Sequence, residues 1–442
     1  MNLREFRKVG HWPTLFSAFL YFDISFMIWV LVGALAVSIS ADLWPKPDGV
    51  SLETHLASIA SKKGFLVAIP LLGGSILRLV LGLMTDHIGA RRTGLIGLML
   101  TAIPLLLGWL WAGSMGELVL VGLLLGVAGA SFAAALPLAS RWYPPEHQGL
   151  AMGIAGAGNS GTALATLFGP ILAKELGWHA VFGLALIPLT LTFITFLILA
   201  KDSPNQPAPK SLLAYGTVLA KKDAWWFCFF YSITFGGFVG LASFLNTFFK
   251  DQYFPNDPKS GAIYAGYFAT ACVIAGSFLR PVGGYLADRH GGIRVLTLLF
   301  LGIGALLLAM TSLPVLAWGT LTLFFSMALL GMGNGAVFQL VPQRFVGNVG
   351  IMTGIVGAAG GLGGFALPYL LGATKDRTGS FTLGLAICAA AVLAGVGALL
   401  YLGRVWRTTW STDAAQRAGL ITGSDRELPS EALQPAPGEL SA

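Results

Sequence analysis

Charge is what this chain of 442 residues has least of: 11% of its residues are Asp, Glu, Lys or Arg, against 55% that are hydrophobic. With a mean hydropathy of +0.75, that shortage excludes a soluble protein of this length. Cysteine is also scarce. Cys228, Cys272 and Cys388 each fall inside an apolar run, with no disulfide framework and no metal-ligand spacing. The chain lacks a polar domain, a metal cluster and any nucleophile–base spacing, so neither an enzyme nor a cofactor or metal site is expected. Short segments alternating every second residue are absent too, which excludes a membrane barrel. The net charge of +7 does not point to nucleic acid, because the basic residues gather in alternate loops.

What is present in quantity is apolar runs long enough to cross about 30 Å of hydrocarbon. The first, 13–40, is too long for the core of a signal peptide and carries Asp23. Twelve spans are expected, at 13–40, 63–85, 93–112, 117–140, 148–173, 177–200, 224–250, 261–285, 293–312, 315–343, 348–372 and 380–403. In lipid such runs must be helices, because only helices satisfy their own backbone groups. The fold class is an all-α membrane protein of two pseudo-symmetric six-helix bundles. Its parts are 1–200, a linker at 201–223 with Pro204, Pro207 and Pro209, a second bundle at 224–403, and a tail at 404–442 expected to be disordered. Lysine and arginine placement puts both termini in the cytoplasm.

Two arginines break the apolar pattern. Arg78 and Arg280 lie inside spans, where a charge costs roughly 2.5–3.5 kcal/mol or more. "LRLVLGLMTDHIGARR" around Arg78 matches "LRPVGGYLADRHGGIR" around Arg280, 202 positions later. The glycine pattern of the fifth span matches that of the eleventh at an offset of 201. Such duplication, with a site at the repeat interface, is a transporter design. Asp86 and Asp288 end the two helices eight residues on, which sets both arginines about 12 Å deep. Two guanidinium forks facing one another repel unless something negative lies between them, and a small planar oxyanion fits both.

"GIAGAGNSGTA" at 153–163 and "GIVGAAGGLGGFALP" at 354–368 are dense in glycine. Gly156, Gly158, Gly161, Gly357, Gly360, Gly361, Gly363 and Gly364 suit close helix packing. They also suit sliding helices, or backbone N–H groups turned to an anion. Asn159 is a candidate donor to that anion. Phe132, Tyr231 and Phe235 lie beside glycines and either flank a flat anion or pack as ordinary core. Asp23 is a candidate proton carrier, or a residue near the cytoplasmic end of its helix, or a partner for a polar group. Arg141 and Arg344 are anchors or gate contacts at cytoplasmic helix ends.

These loops resemble the cytoplasmic loop motif of the major facilitator superfamily, carried here by Asp86, Arg91, Asp288 and Arg294. "GAGNSGTALA" and "GIVGAAGGLGGF" are similar to the signatures of the nitrate/nitrite porter (NarK-type) family, over about residues 10–403. The resemblance implies nitrate and nitrite as substrates, with protons as a coupling partner in some members. It implies that Arg78 and Arg280 clamp the anion, that Phe132 and Phe235 lie above and below it, and that Tyr231 and Asn159 donate hydrogen bonds. It also implies a monomer in the bilayer of the bacterial inner membrane, moving its anion by alternating access. The opening "YFDISFMIWV" is similar to symporter-type members. Two readings compete with this one: a carrier for another small anion such as a carboxylate, and a nitrate sensor without flux.

Overall fold

The computed structural model describes residues 9–204, 212–258, 260–345 and 347–421. Among them twelve apolar spans run back and forth. The first six are Trp12–Leu43, Ala60–Ile88, Ala90–Leu110, Met115–Ser140, the fifth in two pieces, and Trp178–Leu199. The second six are Lys222–Tyr253, Gly261–His290, Gly292–Met310, Leu316–Arg344, Val349–Thr378 and Thr382–Thr409. The fifth is divided into Pro145–Gly156 and Gly161–Leu176 by a 3-10 turn at Ala157–Ser160. Glycine is about 1 kcal/mol poorer than alanine as a helix former, so the glycine-rich stretch relaxes first.

Two other spans depart from a regular helix close to the arginines. The seventh winds into a π-turn at Ser232–Gly236. The eighth stops at Phe278 and restarts at Arg280. Pro281 has no N–H to give to the preceding turn, so the helix breaks there. The second span has no such break and runs unbroken past Arg78. The halves are therefore related but not identical.

Burial separates inner from outer spans. In the most apolar stretch of the first, fourth and seventh spans 78% of the residues are buried within the protein, against 33% in the sixth and 39% in the twelfth. The outward faces of these peripheral spans expose Ile187, Leu191, Ile198 and Leu400, a surface suited to lipid and not to water. The two bundles meet along three lines: second against eleventh, fifth against eighth, and first against seventh.

Two expectations from sequence change. Leu212–Leu219, inside the expected linker, is a helix. The tail expected to be disordered is ordered as far as Ile421: Thr412–Arg417 form a helix, and the Ile293 N–H donates to the Ala418 carbonyl at 3.0 Å. The reason is an apolar face hidden by its spacing. Trp406 and Trp410 stack on Phe227 at 5.7 and 6.4 Å, and Ala415, Ala418 and Leu420 are buried. Residues 422–442 lie outside the described residues.

Candidate functional site

Arg78 is fully buried. Its Nη1 donates to the Gly357 carbonyl at 2.6 Å and its Nη2 to the Gly129 carbonyl at 2.7 Å. Gly129 belongs to the fourth span of the same half, and Gly357 to the eleventh span of the other. The sequence reading has this fork clamp an anion; in this structure its two ends rest on carbonyls, one from each half, while Nε has no partner. Carbonyl dipoles are the acceptors available in an apolar interior, and a cation there needs them.

Aromatic rings surround the same guanidinium. Its carbon lies 5.1 Å from the Phe132 ring, 5.2 Å from Phe235 and 5.6 Å from Trp29. Arg280, from the other half, lies 5.8 Å from Phe132 and 5.6 Å from Phe338. One ring, Phe132, thus faces both guanidinium groups, and cation–π attraction offsets part of their desolvation. Tyr231 and Phe235 stack almost parallel, 2° apart at 5.1 Å, and the Tyr231 ring meets Phe338 edge-on at 4.9 Å. The Tyr231 hydroxyl faces both arginines yet makes no well-formed hydrogen bond.

The glycines explain how these groups come so close. A Cβ on Gly360 would strike the rings of Tyr231 and Phe235 at 2.7–2.9 Å, so its bare backbone is the bed on which both lie. A Cβ on Gly357 would sit 3.0 Å from the Arg78 Cδ. Gly361 packs on Ser75, Gly363 on the backbone of Ser232, and Gly364 on Val239. In the first half, Gly158 and Gly161 press on the backbone of Asp23, whereas a methyl at Gly156 would meet Arg280 only at an ordinary 3.7 Å. The expectation of N–H groups turned to an anion does not hold in the eleventh span, a continuous helix that uses them internally. There the glycines are packing surfaces.

Asn159 sits on the 3-10 turn of the fifth span, 1% exposed, with neither end of its amide partnered. Leaving such a group unsatisfied costs roughly 1–3 kcal/mol. Asn334 in the tenth span is equally buried and equally unpartnered, and so is Nη1 of Arg280. Asp23 is engaged: its side chain accepts from Ser160 Oγ at 2.7 Å, which ties the first span to the turn that carries Asn159.

The loop motif is asymmetric. Asp86 accepts from Arg141 at 3.2 Å, and Arg91 ties the third span to the end of the sixth through Ala200, Leu197 and Asp202. In the second half Arg344 does not turn to Asp288 but pairs with Asp223. Asp288 and Arg294 line a cleft of about 700 Å³ beside the ordered tail, well away from the arginine pair.

Sequence reasoning missed Trp29 and Phe338. It also missed an ion triad at the end of the molecule remote from the termini, where Lys63 meets Asp251 at 2.7 Å and Lys375 meets the same carboxylate at 3.4 Å. All three sit at span edges on one side of the membrane, where a single charge is ordinary and nothing along the chain pairs them. At that end Thr166 and Thr270 hydroxyls meet at 2.8 Å and Asn246 Nδ2 donates to the Thr166 carbonyl at 3.2 Å, again across the halves. Toward the terminus-bearing end, Gly153, Gly350 and Gly354 face open space. The bundles are shut at one end and parted at the other.

Residues 14–368 match the model of the Major Facilitator Superfamily. The chain is 32% identical over 401 residues to the nitrite extrusion protein of Bacillus subtilis, covering 90% of this chain and 95% of that protein. It is 34% identical over 377 residues to the probable nitrate/nitrite transporter NarK2 of Mycobacterium tuberculosis, covering 84% and 91%. It is 32% identical over 399 residues to the probable nitrate/nitrite antiporter NarK1 of Thermus thermophilus, covering 81% and 84%. A D-xylose-proton symporter superposes with a TM-score of 0.67 over 88% of this chain and 97% of that one, at 16% identity, which speaks to the fold alone. With its twelve spans in two bundles and these relatives along most of its length, the chain belongs to the nitrate/nitrite porter (NarK-type) family of the major facilitator superfamily.

Proposed function

We propose that the protein carries nitrate and nitrite across the bacterial inner membrane by alternating access, with the anion bound between Arg78 and Arg280. One observation carries this reading: arginines from opposite halves converge on a single ring, Phe132, among buried donors without partners. Arg280 Nη1, Tyr231 and Asn159 supply those donors. The names of the relatives supply the identity of the anion. Nitrate and nitrite are flat, with oxygens spaced to accept from two forks at once. With the termini in the cytoplasm, the structure corresponds to a carrier closed outside and open inside.

The Gly357 carbonyl occupies one acceptor position that an anion oxygen would also satisfy. An anion arriving from the cytoplasm would take over Arg78 Nη1 and loosen its hold on the eleventh span. Loaded and unloaded carrier then differ in the very contact that joins the halves, as coupled transport requires. Exchange of nitrate for nitrite is favoured over proton symport by the arginine pair itself: Arg78 and Arg280 face one ring with no ion-pair partner among the described residues, so returning empty costs more than returning loaded. Among the described residues, no carboxylate forms an ion pair with Arg78.

Reconstitution into liposomes tests both parts. Nitrate uptake that requires internal nitrite and moves no protons is expected. Uptake into nitrite-free vesicles with proton influx would replace exchange by symport. Binding without flux would make the protein a sensor, and transport of formate or acetate in preference to nitrate would overturn the substrate.

A further inference from the structure

The ion triad remote from the termini is placed where a gate must be. Lys63 Nζ donates to both oxygens of Asp251, at 2.8 and 2.7 Å, and Lys375 Nζ donates to one of them at 3.4 Å. The side chains of Lys63 and Asp251 are 2% exposed and that of Lys375 is 8% exposed. Lys375 also lies 4.2 Å over the Phe381 ring. Lys63 is on the second span, while Asp251 and Lys375 are on the seventh and eleventh. Only the Lys63 arm therefore crosses between halves. Beside it, a Cβ on Gly64 would be 2.9 Å from the Gly372 Cα, so the backbones of the second and eleventh spans touch there. At the terminus-bearing end the ion pairs Asp86–Arg141 and Asp223–Arg344 each stay inside one half.

A buried ion pair is weak evidence for stability, because desolvation cancels much of its attraction. Its consequence here is directional. When the halves part at this end, Asp251 keeps Lys375 and Lys63 is left alone. Two ammonium groups share one carboxylate, so opening leaves the Lys63 ammonium without its counter-ion. Fifteen helical residues separate Lys63 from Arg78, about 22 Å along the axis and roughly 60° around it. The two cations thus lie on nearly the same face of one helix, both turned to the other half. The Asp251 carboxylate is itself a flat oxyanion, and it marks the chemistry Lys63 accepts.

We propose that Lys63, Asp251 and Lys375 are the outer gate, and that Lys63, once released from Asp251, is the first docking station for an incoming monovalent oxyanion on its way to Arg78. This rests on the transport reading above. The test is nitrate uptake from outside by intact cells loaded with nitrite, with KM and maximal rate for wild type, Lys63→Gln, Lys63→Arg, Asp251→Asn and Lys375→Gln, and membrane levels measured for each. Wild type that moves no nitrate would overturn the transport reading itself, independently of the variants. Given wild-type flux, Lys63→Gln is expected to raise KM about tenfold. Lys63→Arg restores it, and Asp251→Asn, which frees Lys63, does not raise it. Lys375→Gln strands Asp251 on opening and so slows the maximal rate. Equal changes of KM in Lys63→Gln and Asp251→Asn, or none in either, would overturn the docking role. A maximal rate unchanged by Lys375→Gln would overturn the gate, and that variant decides it even where Lys63→Gln fails to reach the membrane.

Discussion

Arg78 Nη1 donates to the Gly357 carbonyl at 2.6 Å, a hydrogen bond that joins the second span to the eleventh and so one half of the carrier to the other. It lies at the centre of the helix pair that also includes Ser75, whose hydroxyl donates to the Ala358 carbonyl at 2.5 Å. Both acceptors are in the glycine-rich stretch. Close approach, an intramembrane arginine and the junction of the halves are thus one structural arrangement.

Gly357→Ala is expected to cut transport by about tenfold or more, because the new methyl would press on the Arg78 stem at 3.0 Å and displace its fork. Gly354→Ala, one turn away and facing open space, should stay within about twofold of wild type. Equal effects of the two substitutions on initial nitrate uptake would contradict this account.

Arg78→Lys and Arg280→Lys should each lower kcat/KM about 100-fold, or ~3 kcal/mol. Lysine keeps the charge but cannot make the fork's two parallel bonds. Arg78→Lys also removes a bond between the halves. It should therefore lower thermal stability more than Arg280→Lys, whose Nη1 has no partner to lose. Melting curves in detergent compare them, and wild-type-like uptake by either variant would sink the clamp.

Asp23 separates a positioning role from a proton-carrying one. Asp23→Asn retains an oxygen for the Ser160 hydroxyl and should keep most nitrate/nitrite exchange. Asp23→Ala removes that acceptor, should cost about 1 kcal/mol of stability and should loosen the turn that carries Asn159. Exchange lost equally in both variants would mean that the charge itself matters.

The loop motif should be unequal in its two copies. Asp86→Asn breaks the bond to Arg141 and should lower stability by up to about 1 kcal/mol, the scale of a partly exposed pair. Asp288→Asn, whose aspartate forms no ion pair among the described residues, should be nearly silent in the same melting experiment.

Much of this was legible in the chain. Span lengths follow from the thickness of hydrocarbon, and both arginines stood out because charge in an apolar run is costly. The 202-residue repeat linked them before any coordinates. The ordered tail was not legible, because Trp406 and Trp410 find their apolar surface on Phe227, far away in sequence. Nor was the ion triad, since Lys63, Asp251 and Lys375 each read singly as an ordinary loop-edge charge.

By itself the sequence determined a twelve-span carrier in two related halves with two buried cations at its centre, because hydrophobicity, spacing and internal repetition are local or periodic properties. Only the tertiary structure decided where those cations' donors go. Arg78 turns to carbonyls of both halves, Phe132 stands before both guanidinium groups, and Lys63 finds its partner across the mouth. A hydrogen bond or an ion pair is fixed by atoms a few ångströms apart. In this fold those atoms come from helices tens to hundreds of residues apart, and no pattern along the chain encodes which helices will touch.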